Sequence, residues 1–168
     1  MRPDYQRDSE FKEKVIQIRR VTKVVKGGKK MGFRAVVIVG DVKSRVGLGI
    51  GKAAEVPAAI RKGVEAAKKA LIEVPLVSGT VPHDVHGRFS ASTVVLRPAP
   101  AGTGVIAGGS VRTVLELSGV KNIVAKKIGS ANAINVARAT LNALQLLKKY
   151  EVISALRGKE LKIKYVET

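Results

Sequence analysis

The sequence predicts an α+β protein of two small domains, the first ordered β-β-β-α and the second β-α-β-α. Three observations carry that expectation. Two Val/Ile-rich runs, "VIQIRRVTKVVK" and "MGFRAVVIVG", flank a Gly-Gly pair and read as a hairpin. A helical pattern with proline in its first turn follows a third strand-like run. A stretch mixing Pro, Gly and Ser at 74–89 then leads into a half with its own strands and helices. With 168 residues the chain suffices for one ordinary domain or two small ones.

Residues 1–14 are polar and mixed in charge, an N-terminal extension that frays or forms a short helix. The first domain, 15–74, opens with the hairpin. Its third strand, "RVGLGIGKA", alternates Val46, Leu48 and Ile50 with Gly47, Gly49 and Gly51, so one face is aliphatic and the other bare, open to a closely packed helix or to RNA. "EVPAAIRKGVEAAKKALI" reads as the covering helix. Pro57 is tolerated near its start, and Val56, Ile60, Val64, Ala67 and Leu71 form the apolar stripe. The domain is thus expected as a three-stranded antiparallel sheet with one helix on one face.

The second domain, 75–150, begins in an irregular segment. "STVVLRP" is a strand, and "AGTGVIAGGSVR" is a glycine-rich turn into a helix, with Ser110 as N-cap and Gly119 just past the C-terminus. "NIVAKKIG" is a short strand or turn. "SANAINVARATLNALQLLKK" is the longest helix, with Ile134, Ala137, Leu141 and Leu144 on one face. Residues 151–168 form a short charged helix or tail.

Charge is the first functional clue. Lys and Arg number 31 against 13 Asp and Glu, a net charge of +18. Residues 1–75 alone carry 18 basic against 8 acidic groups, so the excess is not one detachable tail. Such a field favours a polyanion, most often nucleic acid. A membrane partner would call for a bulky amphipathic helix, a lipidation signal or a long apolar run, and none is evident. Zero cysteines exclude disulfides and thiolate metal sites.

Enzyme chemistry finds no motif. Lys52 is followed by Ala53 where a phosphate loop needs Ser or Thr, and Gly102, Gly104 and Gly108 miss the dinucleotide fingerprint by one residue. His83 and His86 have no third ligand cluster, and no serine sits in a nucleophile elbow. No cofactor or metal is expected. The hairpin differs: from Lys14 to Arg34 it carries eight basic residues and no acid, on a Val/Ile scaffold that fixes where the charges point. Held together without acids, they favour a phosphate backbone as partner.

The blocks "VTKVVKGGKKMGFRAVVIVGD", "RVGLGIGKAAEVPAAIRKG", "GTGVIAGGSVRTVLELSGVKN" and "GSANAINVARATLNAL" together resemble the bacterial-type family of small-subunit ribosomal protein five. The resemblance runs from about Phe11 to Arg157. It implies a primary rRNA-binding component of the small subunit. The first domain would be similar to a double-stranded-RNA-binding fold without its leading helix, and the second would be the family's own α/β fold with a left-handed crossover. By position Thr22, Lys23, Lys26, Gly27 and Gly28 match the family's loop that reaches rRNA near the spectinomycin site. Lys29, Lys30, Phe33, Arg34 and Lys52 complete the RNA-facing set.

Arg19 and Arg20 match basic residues where messenger RNA (mRNA) enters the subunit, beside small-subunit proteins three and four. Gly102, Gly104 and Arg112 match a contact with protein four that is tied to decoding accuracy. Protein eight is expected against the second domain and the tail, although "ELKIKYVET" follows no recognised pattern. The implied place is the small ribosomal subunit in the cytoplasm, with an organelle interior left open as the alternative. The rival reading is a free-standing RNA-binding regulator or chaperone, with a nucleotide-dependent enzyme a distant third.

Overall fold

The computed structural model describes residues 11–159. Two four-stranded sheets and four helices make up the architecture. Sheet 1 is antiparallel, in the order β1 (Lys12–Val25), β2 (Gly28–Gly40), β3 (Arg45–Ala53), β4 (Leu71–Glu73), with α1 (Val56–Lys69) between the last two in sequence. Sheet 2 contains β5 (Val85–Phe89), β6 (Ser92–Pro98), β7 (Val105–Ile106) and β8 (Ile123–Gly129), in the spatial order β5-β6-β8-β7. Helices α2 (Gly109–Leu117), α3 (Ala133–Gln145) and α4 (Tyr150–Arg157) complete the second half.

The α+β class with two units holds, and each sheet gains strands that local pattern did not reveal. The expected helix through Ile72 stops at Lys69, and Leu71–Glu73 instead adds a fourth strand, with Arg45 opposite Glu73 and Gly47 opposite Leu71. An isolated "LIE" carries no periodicity, so only its partner β3 makes it a strand. The first strand begins at Lys12 rather than Val15. In the second half the glycine-rich turn contains β7, which pairs in parallel with β8 across the α2 crossover.

The bare face of β3 is filled by a helix, not by RNA. A Cβ on Gly47, Gly49 or Gly51 would run into the backbone carbonyls of Ala67, Gly63 and Ala59 on α1. The buried line of α1 is therefore Ala59, Gly63 and Ala67, spaced one turn apart, while Ile60 and Val64 flank it half-buried. The expected stripe was rotated from the true one because hydrophobicity favours large residues, whereas contact this close selects small ones.

Strand β2 explains its own unbroken apolar run. Ala35, Val37 and Val39 pack under α1, while Ile38 joins a larger core with Val46, Leu96, Leu115 and Leu144. The inner half of β2 is thus a wall between two cores, buried on both faces. Helix α2 ends as expected: Gly119 takes φ +87°, its N–H donates to Glu116 O at 3.2 Å and Val120 N–H donates to Leu115 O at 3.2 Å. Its start differs, since Gly108 and not Ser110 occupies the N-cap. Helix α3 is capped by Asn132, whose Oδ1 accepts from Ile134 N–H at 3.1 Å.

Candidate nucleic-acid interface

The hairpin arm follows from the β1–β2 ladder. Val25 lies opposite Gly28, leaving Lys26 and Gly27 as a two-residue loop. Gly27 takes φ +84°, a left-handed turn that a side chain at this second loop position would strain. The last pair between β2 and β3 is Phe33 with Ala53. Beyond it only two strands continue, so the tip stands about 16 Å past the body at ordinary strand rise.

Register sorts the basic residues onto faces. Arg19 lies opposite Arg34, which lies opposite Lys52, giving one row of cations across three strands. Two residues toward the tip come Val21 and Gly32, and then Lys23 opposite Lys30. Arg19, Lys23, Lys30, Arg34 and Lys52 therefore share one face. The opposite face carries Arg20 across from Phe33, Thr22 across from Met31 and Val24 across from Lys29. Lys26 sits at the tip with Gly27, next to Gly28.

None of these cations pairs with a carboxylate among the described residues. Directly opposed like charges destabilise a strand pair, by up to about 1 kcal/mol each. The Arg20 guanidinium contacts the Met31 sulfur. Arg34 keeps a buried Nε without an acceptor among the described residues, a cost on the order of 1–3 kcal/mol. A row of unneutralised cations on a rigid ribbon suits phosphates supplied from outside.

Lys14 belongs elsewhere. Its Nζ reaches Glu116 Oε2 at 3.3 Å, while Arg112 Nε donates to Glu116 Oε1 at 2.7 Å. The Arg112 bond, against the opposing effect of desolvation and with help from Lys14, holds the Glu116 carboxyl below its usual range. This triad ties α2 to β1, so Arg112 has an internal partner while its side chain stays exposed. Gly102 and Gly104 take φ +89° and +73° in the turn before β7, with open space where a side chain would stand. Gly104 N–H donates to Asn122 Oδ1 at 3.1 Å and Gly104 O accepts from Ile123 N–H at 3.0 Å, anchoring the turn to β8.

His83 is structural. Its Nε2 accepts from the Lys148 backbone N–H at 3.1 Å, which leaves Nδ1 to donate to Asp84 O at 2.8 Å. His86 lies on β5, and no cluster of metal-binding side chains occurs among the described residues. No helix among them is long and apolar enough to cross a membrane. Basic residues of the second half do not gather as the arm's do: Arg138 stacks over the Phe89 ring at 5.0 Å and Lys149 pairs with Glu73 at 3.5 Å.

Residues 11–75 match the family profile "Ribosomal protein S5, N-terminal domain", and residues 87–157 match "Ribosomal protein S5, C-terminal domain". The chain belongs to the ribosomal protein S5 family. Similar proteins include "Small ribosomal subunit protein uS5" of Acaryochloris marina, 54% identical over 97% of this chain and 93% of its own length. The protein of that name from Syntrophobacter fumaroxidans is 57% identical over 88% of this chain and 89% of its own, and that from Thermotoga petrophila is 56% identical over 88% and 83%. S5 membership makes the chain a structural, RNA-binding ribosomal protein of the small subunit, not an enzyme. These relatives are bacterial, and the bacterial small subunit works in the cytoplasm.

Proposed function

We propose that this S5-family protein clamps rRNA with its hairpin arm and so supports assembly of the small subunit. The observation that carries this reading is the single arm face bearing Arg19, Lys23, Lys30, Arg34 and Lys52, none of them neutralised within the described chain. Lysines and arginines supply salt-dependent affinity for phosphates, and the rigid ribbon supplies placement. Gly27 and Gly28 let the tip approach RNA closely, with Thr22, Lys26 and Lys29 beside them. Phe33 and Arg20 pair at the base of the arm, where Arg19 and Arg20 are the candidates for contact with entering mRNA near proteins three and four.

Gly102, exposed, and Gly104, half-buried, both left-handed, together with Arg112, are the candidate surface for protein four and for control of decoding accuracy. An interface made and broken during tRNA selection biases a two-state equilibrium. Protein eight is assigned to the second unit and the tail. Residues 160–168 of that tail lie outside the described residues, as do 1–10 of the N-terminal extension. On α4 Val152 and Leu156 are exposed, an apolar pair available to a protein neighbour.

The test is gradient sedimentation of a lysate at low and then raised salt, comparing the natural chain with Lys23→Glu/Lys30→Glu. The natural chain is expected to stay with small subunits at moderate salt, while the charge-reversed chain gives fewer mature subunits and an altered spectinomycin response. Early release of the natural chain onto all RNA would favour the free-standing regulator. Unchanged miscoding after Gly104→Arg would remove the accuracy role.

A further inference from the structure

The face of the arm opposite the cation row carries different chemistry. Thr22 lies across from Met31 there, and Arg20 across from Phe33. Arg20 and Met31 are therefore diagonal neighbours on one face of the β1–β2 ladder, a separation that long side chains span. The Arg20 guanidinium lies against the Met31 sulfur. Both residues are exposed, Met31 to 54%.

Sulfur chemistry has no other place in the described chain. The sequence contains no cysteine, and of its two methionines Met1 lies outside the described residues. A thioether is a weak hydrogen-bond acceptor, so in the reduced state Met31 holds Arg20 loosely and the guanidinium can turn to a phosphate. No carboxylate among the described residues competes for it. Oxidation makes this apolar side chain polar, and a sulfoxide oxygen accepts from a guanidinium far more strongly than sulfur does.

We infer that Met31 is a reversible oxidation site that sets the arm's grip on RNA through Arg20. The inference rests on the reading of the arm as an RNA clamp. In the forward step a sulfur lone pair attacks one oxygen of hydrogen peroxide. The S–O bond forms, the O–O bond breaks, and the second oxygen leaves as water; sulfur loses the two electrons that peroxide gains. The reverse step, catalysed by methionine sulfoxide reductases, takes two electrons from a pair of thiols and yields a disulfide and water. Between the two steps the new oxygen holds Arg20 on the ribbon, so the arm keeps its charge but withdraws one donor from the phosphates.

The test uses the full chain and a mixed-sequence RNA duplex of about 16 base pairs, the length a double-strand reader spans. Peroxide treatment, with the added oxygen mapped to Met31 by peptide mass spectrometry, is expected to weaken binding about threefold and to lower the slope of log affinity against log salt by up to about 1. Methionine sulfoxide reductases A and B with dithiothreitol are expected to restore it. The treatment is expected to be silent in Met31→Leu, which retains Met1, and in Arg20→Gln, whose affinity should already match that of the oxidised natural chain.

Equal affinity of the oxidised and untreated natural chains would overturn the inference and leave the arm reading intact, as would a Met31 that stays reduced while Met1 is converted. The same threefold loss on oxidising Arg20→Gln would overturn it too, by removing Arg20 from the effect. Absence of duplex binding by the untreated chain, with an intact thermal midpoint, would overturn the arm reading itself and the inference with it.

Discussion

The two halves of strand β2 make opposite use of one hydrogen-bonded ladder. From Ala35 to Gly40 every residue is buried, and the strand is a partition with a core on each side. From Gly28 to Met31 every residue is exposed, and lysines take the place of valines. The backbone barely changes between them. A β-ribbon can therefore be driven by packing at one end and remain a pre-formed scaffold for charge at the other, which spares the arm the ordering entropy that a flexible basic tail loses on binding.

That contrast can be broken most sharply at its buried end. Gly49→Ala places a Cβ against the α1 backbone at Gly63 and Ala67, so a loss of at least about 3 kcal/mol is expected, read as a collapse of the denaturant midpoint. Next is Asp41, in the turn that joins β2 to β3. Burial would raise its carboxyl, but Ser44 N–H, the Arg45 side chain, and the N–H groups of Arg45 and Lys43 outweigh that and hold it well below the usual carboxylate range. A folded pKa below the unfolded one gives stability that is present above about pH 4 and lost as pH falls further. Asp41→Asn should cost about 1–3 kcal/mol at neutral pH and flatten that acid dependence, as chemical denaturation across pH would show.

At the arm, effects on folding shrink. Gly27→Ala strains a left-handed loop position and should cost about 1 kcal/mol. Lys23→Gln/Lys30→Gln removes an opposed pair of like charges, so stability should rise by a few tenths of a kcal/mol while RNA affinity falls about tenfold. Equal destabilisation by the Gly49 and Gly27 variants in urea titrations would erase the distinction between the two ends.

Much of this was legible in the residues. The hairpin, the strand at Ser92–Pro98, the proline-started helix and the capped end of α2 all announced themselves through local chemistry. Face assignment on the arm did not. A bulge between Val15 and Gln17 reverses the alternation, so odd-numbered residues face α1 before it and the other side after it. Reading Lys14 and Arg19 by parity alone would place them on opposite faces, yet their partners Ile38 and Arg34 share one. Lys52 joins the arm's cations only through pairing with Arg34, information that resides in another strand.

Strand β2 runs thirteen residues without a break from the loop to the shared wall of both cores. Tip and wall are thus in mechanical series. A load applied where the lysines grip a partner passes along β2 and is resisted in shear by its ladders to β1 and β3, not by peeling at an edge. The arm is anchored where β2 is paired on both edges and buried on both faces, so a tug on it is passed to the body through the core of sheet 1.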